Sequence, residues 1–146
     1  MVTPQRLFVA GGSFGPDLPA PKVVAAIARG LQAGGLPEPD LLPLPDAKEH
    51  AGDVRELLEA VGFDTRMRRA RAVIVGAERL REETLVGSAT FEIATRARQA
   101  GVPAYAVTAE NCLAPFDARI LDLQVVLEAR TARQLSAAGR RLASLG

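Results

Sequence analysis

The sequence predicts an α/β protein: a three-layer αβα sandwich in which a five-stranded, mostly parallel sheet lies between two layers of helices. Three observations carry this. Short apolar runs alternate with stretches of helical periodicity along the chain, and strand alternating with helix builds a parallel sheet covered on both faces. Arg71 to Gly76 (RAVIVG) is a continuous apolar run suited to burial on both sides. The length, 146 residues, is one domain's worth, so 1–146 reads as a single domain.

Each element has its own signal. Arg6 to Ala10 reads as the first strand. A Gly-Gly-Ser-Phe-Gly-Pro loop follows, then a helix from about Pro21 with Val24, Ile27, Ala28 and Leu31 at helical spacing, stopped by Gly34 and Gly35. Asp40 to Pro45 is a weaker strand, placed at an edge by Pro43. Asp53 to Val61 is helical, with Asp53 as its cap. After the RAVIVG strand, a helix runs from about Ser88 to Ala100 and ends at Gly101. Pro103 to Val107 and Leu123 to Leu127 complete the strands. Thr131 and Gln134 form a capping box for a last helix whose inner face carries Leu135, Ala138, Leu142 and Leu145. The alternation is that of a Rossmann- or flavodoxin-like sheet. In such sheets ligands bind beyond the carboxyl ends of the strands. That places the candidate site in the loops Gly11–Gly15, Asp46–His50, Gly76–Arg81, Thr108–Cys112 and Glu128–Arg130.

Composition narrows the function. The chain is 48% hydrophobic and 24% charged, with a net charge of +1. That balance gives no electrostatic footprint for nucleic acid or an anionic membrane. The cluster Arg66–Met67–Arg68–Arg69 with Arg71 reads as a solvated helix face. No apolar stretch approaches a membrane span, and no leader pattern opens the sequence. The single cysteine, Cys112, fits a reducing cytoplasm and reads as a small buried thiol. His50 has no Cys or His partner for a zinc set.

The first loop, Ala10-x-Gly12-x-x-Gly15, nearly matches the dinucleotide fingerprint. However, Pro16, Pro19 and Pro21 delay the helix whose amides would hold a pyrophosphate. What remains is a permissive βα loop, in which the amides of Gly11 to Phe14 and the Ser13 hydroxyl are available to an anion.

Three segments, in order, resemble the bacterial glycerate kinases that phosphorylate glycerate at the 2-hydroxyl. LFVAGGSFGPDLPA is similar to that family's opening strand and loop. DLLPLPDAKEH is similar to its second strand and Gly-Gly-Glu-Gly loop. VGFDTRMRRARAVIVGAERLREETLVGS resembles its long Gly-Phe-Asp to Thr-Leu-x-Gly-Lys motif, and ARQAGVPAYAVTAE and AAGRRLASL continue the match. The resemblance implies ATP and Mg²⁺ as cofactors. It implies catalytic roles for Asp46, Glu49 and Glu78, with Asp46 and Glu49 on magnesium. It implies ligand or phosphate contacts from Gly11, Gly12, Ser13, Phe14, Arg79, Thr84, Gly87 and Ser88.

The departures are as informative. The family's second lobe would lie between His50 and Gly62, where this chain has only about a dozen residues. Gly12 and Gly15 stand where the family has Asp and Lys. Ala77 replaces the acid of Gly-Glu-Gly, with Glu78 one place later. Arg81 replaces an Asp, and Ser88 replaces the later Lys. Phosphoryl transfer needs metal-holding carboxylates, a phosphate clamp and a closed site. Three readings follow. One is a pseudoenzyme binding a small acidic metabolite, a nucleotide or a protein. Another is a kinase completed by a partner chain. The third is a structural homodimer subunit. Read without the resemblance, Asp46 caps the next helix while Glu49 and Glu78 face solvent.

Overall fold

A computed structural model describes residues 6–45, 53–81 and 88–145. Five strands, β1 (Phe8–Gly11), β2 (Asp40–Pro43), β3 (Val73–Leu80), β4 (Ala104–Asn111) and β5 (Leu123–Glu128), form one sheet in the order β2-β1-β3-β4-β5, with every pairing parallel. The expected α/β sandwich is therefore observed, with the strand order of flavodoxin-like sheets. β2 is an edge strand, as Pro43 requires: a residue without an N–H cannot serve a central ladder.

Helices α1 (Ala20–Ala33) and α6 (Ala132–Ala143) cover one face. The other face carries α2 (Val54–Ala60), α3 (Phe63–Arg68), α4 (Ala89–Ala100) and α5 (Pro115–Ile120). Strand alternation feeds the two layers separately. Phe8, Ala10, Val73 and Val75 point to one, and Leu7, Val9 and Ile74 to the other. Two caps, Asp53 and Thr131, follow the sequence signals, and Ser88 is a third. Asp53 accepts the Glu56 amide, Ser88 accepts the Phe91 amide, and Thr131 accepts the Gln134 amide. The Gln134 side chain accepts from the amide of Arg130, one residue before the cap.

Helices α1 and α6 approach at backbone contact. A β-carbon on Gly30 would collide with the Ser136 carbonyl, and one on Gly139 with the Ile27 carbonyl; one on Gly34 would lie 2.5 Å from the Ala143 methyl. Glycine is needed here because nothing larger lets the two backbones meet.

Four expectations are corrected. β3 does not stop at Gly76 but runs to Leu80, and β4 runs past Val107 to Asn111. Residues 77–80 and 108–111, expected in loops, pair with one another instead (Ala77 with Thr108, Arg79 with Glu110). Charged residues survive there because this ribbon extends past the layers. Arg66 is not on a solvated face. Its guanidinium holds the Asp40 carboxylate through two bonds, 2.7 and 2.9 Å, and lies 4.9 Å from the centre of the Phe8 ring. Cys112 is exposed, because it follows the protruding end of β4. Leu145 is half exposed, beyond the end of α6. Among the described residues, no helix is long and apolar enough to cross a membrane.

Candidate functional site

The carboxyl edge of the sheet is stepped. β1 ends at Gly11, in register with both Pro43 and Gly76, while β3 and β4 continue for several more residues. Gly11 and Gly76 lie back to back on the floor of the step. A β-carbon on Gly76 would come 3.4 Å from the Gly11 α-carbon, and one on Gly11 would come 3.2 Å from a Val24 methyl. Gly11 thus serves packing, and it lies within the strand.

A cleft of about 230 Å³ occupies the step, next to the β1–β3 switch point where ligands of such sheets bind. Gly12, Ala77 and Arg79 form one side; the N-terminus of α4, with Ser88 and Thr90, forms another; Arg81 closes the rim. The α4 terminus presents its first amides here. The Phe91 amide is taken by the Ser88 side chain, which leaves those of Ala89 and Thr90 without an acceptor among the described residues. Together with the helix dipole they favour an anion.

Thr90 is the residue that sequence reasoning missed. Its side chain is 5% exposed, yet its hydroxyl has no hydrogen-bond partner among the described residues. Among the described residues no fully enclosed side-chain polar atom is left unsatisfied, and Thr90 is one of the residues that line the cleft. A threonine in the first turn of a helix gives no signal in sequence; only its burial beside an empty cleft marks it.

Arg81 donates to Glu110 over 3.1 Å, in a pair about 40% exposed, and contributes little to stability there. The Cys112 thiol and the Arg81 guanidinium together hold the Glu110 carboxyl below its ordinary range. The hydrogen bond to Glu110 in turn pushes the Cys112 thiol up, away from a reactive thiolate. Arg79 is exposed and pairs with no acid among the described residues.

The sequence-derived candidates separate by place. Gly12, Arg79 and Ser88 come together in the cleft. Glu78 does not join them: it is exposed on the other side of β3, its carboxylate beside Gly15. Three amides of the first loop are committed within the chain, which leaves no full cradle. Gly12 donates to Gly76, Phe14 to Leu18, and Gly15 to the Ser13 hydroxyl. That hydroxyl itself donates to the carbonyls of Gly15 and Leu18, and Phe14 is buried in the core. Ser13 instead lines a neighbouring hollow of about 250 Å³ beside Pro19 and Pro43. Asp46, Glu49, Thr84 and Gly87, with His50, lie outside the described residues. Among the described residues, no three His, Cys, Asp or Glu side chains gather as a metal set.

A compact α/β domain with an anion-receptive cleft at its switch point fits many families; comparison narrows it. The chain belongs to the glycerate kinase family, whose model matches residues 33–122, more than half of the chain. No curated protein matches it. Among solved structures it is similar to a de novo designed Rossmann 2x3 fold protein (12% identity, TM-score 0.52, 97% of this chain and 90% of that one). It is also similar to a 3-dehydroquinate dehydratase-like protein from Bifidobacterium longum (16% identity, TM-score 0.52, 97% and 96%). At these identities the likeness shows the fold. A third similarity, to a candidate glycerate kinase 2 from Salmonella typhimurium LT2, has 16% identity and a TM-score of 0.48, and covers 62% of this chain and 26% of that one.

Proposed function

We propose that this member of the glycerate kinase family binds a small carboxylate- or phosphate-bearing metabolite in the cleft without turning it over. The observation that carries the reading is the lining itself. It holds Arg79, Arg81, the open end of α4 and the Thr90 hydroxyl, and no carboxylate among the described residues. Such a lining attracts an anion and supplies neither a metal ligand nor a base. Ala77 stands where the resemblance expects an acid, and the second lobe that would close the site has no counterpart in the sequence. Phosphoryl transfer draws on metal ligands, a base and closure, and a described lining without carboxylates, beside a missing lobe, supports binding over transfer.

ATP with Mg²⁺ is the competing ligand. Asp46 and Glu49, the acids that would hold magnesium, lie outside the described residues, and Glu78 stands apart from the cleft, so no step is routed through a metal.

Thermal unfolding with 2-phosphoglycerate, glycerate and MgATP separates these possibilities. A ligand at about a hundred times its dissociation constant adds roughly 2.7 kcal/mol, a shift of several degrees for a domain of this size. The expected result is a shift with the phosphorylated acid and no phosphate transfer from MgATP to glycerate. Transfer of phosphate would overturn the reading. The variant Thr90→Val should keep the melting point of the free protein within about 2 °C and weaken the ligand about tenfold, the worth of one hydrogen bond to a charged group. Arg79→Gln should weaken it by at least as much.

A further inference from the structure

A second basic site lies on the opposite side of the fold from the strand ends that line the cleft: on the outer face of the α1–α6 layer. The backbone contact through Gly30 and Gly139 draws the two helices together, and a shallow groove of about 410 Å³ runs along their seam. Its floor is small and weakly polar, formed by Ala33, Ser136 and Ala137. Arg29 of α1 and Arg133 and Arg140 of α6 stand around it, all exposed.

Like Arg68, Arg69, Arg79, Arg119 and Arg141, these three arginines engage no acid among the described residues, and their distinction is that they gather around one groove. Arg55, Arg66, Arg81 and Arg96 each engage an acid. Arg29, Arg133 and Arg140 have no hydrogen bond or ion pair with any described residue. The whole chain carries only one net positive charge, so the groove is a local concentration of cations and not part of a general basic surface.

We propose that this groove docks an acidic segment of a partner protein. Arg133 and Arg140 are seven residues apart, two helical turns or roughly 10 Å. Carboxylates two turns apart on one face of a helix match that spacing. A single phosphate would engage fewer of the three cations than carboxylates so spaced. A nucleic acid would need a basic track that continues beyond the groove, which a near-neutral chain does not offer. Guanidinium forks take carboxylates in paired hydrogen bonds, and the methyl floor accommodates the aliphatic stems of glutamates.

The test uses the full chain and a fluorescein-labelled helical peptide with glutamates at i, i+3 and i+7 on one face, read by anisotropy at about 0.15 M salt. The expected result is saturable binding that falls at least about tenfold in Arg133→Gln/Arg140→Gln. Binding should change less than about twofold in Arg68→Gln/Arg69→Gln, which removes the same charge from α3. Both doubles alter exposed side chains and should melt with the unaltered protein. A peptide with lysines for the glutamates should not bind. The proposal is overturned if the glutamate peptide does not bind, if the two double variants weaken it equally, or if a single-stranded oligonucleotide binds the groove more tightly than the peptide.

Discussion

Replacing Gly30 with alanine is expected to lower the unfolding free energy by about 2 kcal/mol, although alanine is the better residue inside a helix by about 1 kcal/mol. The reason is what the new methyl meets. It would fall on the Ser136 carbonyl and within 2.8 Å of the Ser136 carbonyl carbon, with the Arg140 nitrogen 2.7 Å away. All three are backbone atoms of α6, so no rotamer change relieves the clash and the helix must shift as a body. Overpacking of this kind costs typically 1–3 kcal/mol and occasionally more, and Gly30→Val should exceed the alanine variant. Gly12→Ala is the control: a β-carbon there meets nothing within 4 Å, so chemical denaturation should find it within about 0.5 kcal/mol of the parent. Equal stability of the Gly30 and Gly12 variants would show that the helices are not in backbone contact.

The second large effect is expected from Arg66. Its fork binds both oxygens of Asp40 and also donates to the Leu41 carbonyl at 2.9 Å, fastening the start of the edge strand β2 to α3. Both side chains are less than a third exposed. Arg66→Met should cost about 2–3 kcal/mol at neutral pH, since it strands a partly desolvated carboxylate and removes the contact with Phe8. Arg66→Lys should recover only part, because an ammonium cannot form the fork.

The acid dependence follows from the Asp40 carboxyl. The Arg66 hydrogen bonds, partly opposed by burial, hold it below its ordinary value. A depressed carboxyl adds stability above its unfolded pKa of about 3.9, and the increment fades as pH falls from there through the lower folded value. Urea midpoints for the parent and Arg66→Met should therefore converge below about pH 4. A gap that stays constant down to pH 2 would mean that the pair is not what the variant removes.

Much of this architecture was legible before any coordinates. The apolar run Val73–Val75 could only be a strand buried on both faces. Pro43 consigned β2 to an edge. Asp53 and Thr131 announced their helices because a short polar side chain at that place caps the first turn. What was not legible has a common physical origin. Glu78 and Arg79 looked like a loop because polarity reports exposure, and these two positions are exposed although the strand continues to the buried Leu80. Arg66 looked like one more surface charge because its partner, Asp40, is distant in sequence. Three of the candidate residues, Gly12, Arg79 and Ser88, line one cleft. The amides of the first loop were counted as free because their internal acceptors, Gly76 and Leu18, follow from the fold and not from local pattern. Thr90 was invisible for a similar reason.

The glycine seam also bears on how the chain comes to be folded. α1 is synthesised long before α6, which covers it. Until α6 arrives, Ile27 and Leu31 lack part of the cover that the native seam gives them, and β1, central in the sheet, waits for β3 to be made. Contacts between such distant segments slow folding and lengthen the life of incomplete forms. During translation the nascent chain would therefore present a sticky helical face, and damage that removes α6 should send the product toward aggregation and chaperones instead of toward a smaller folded protein.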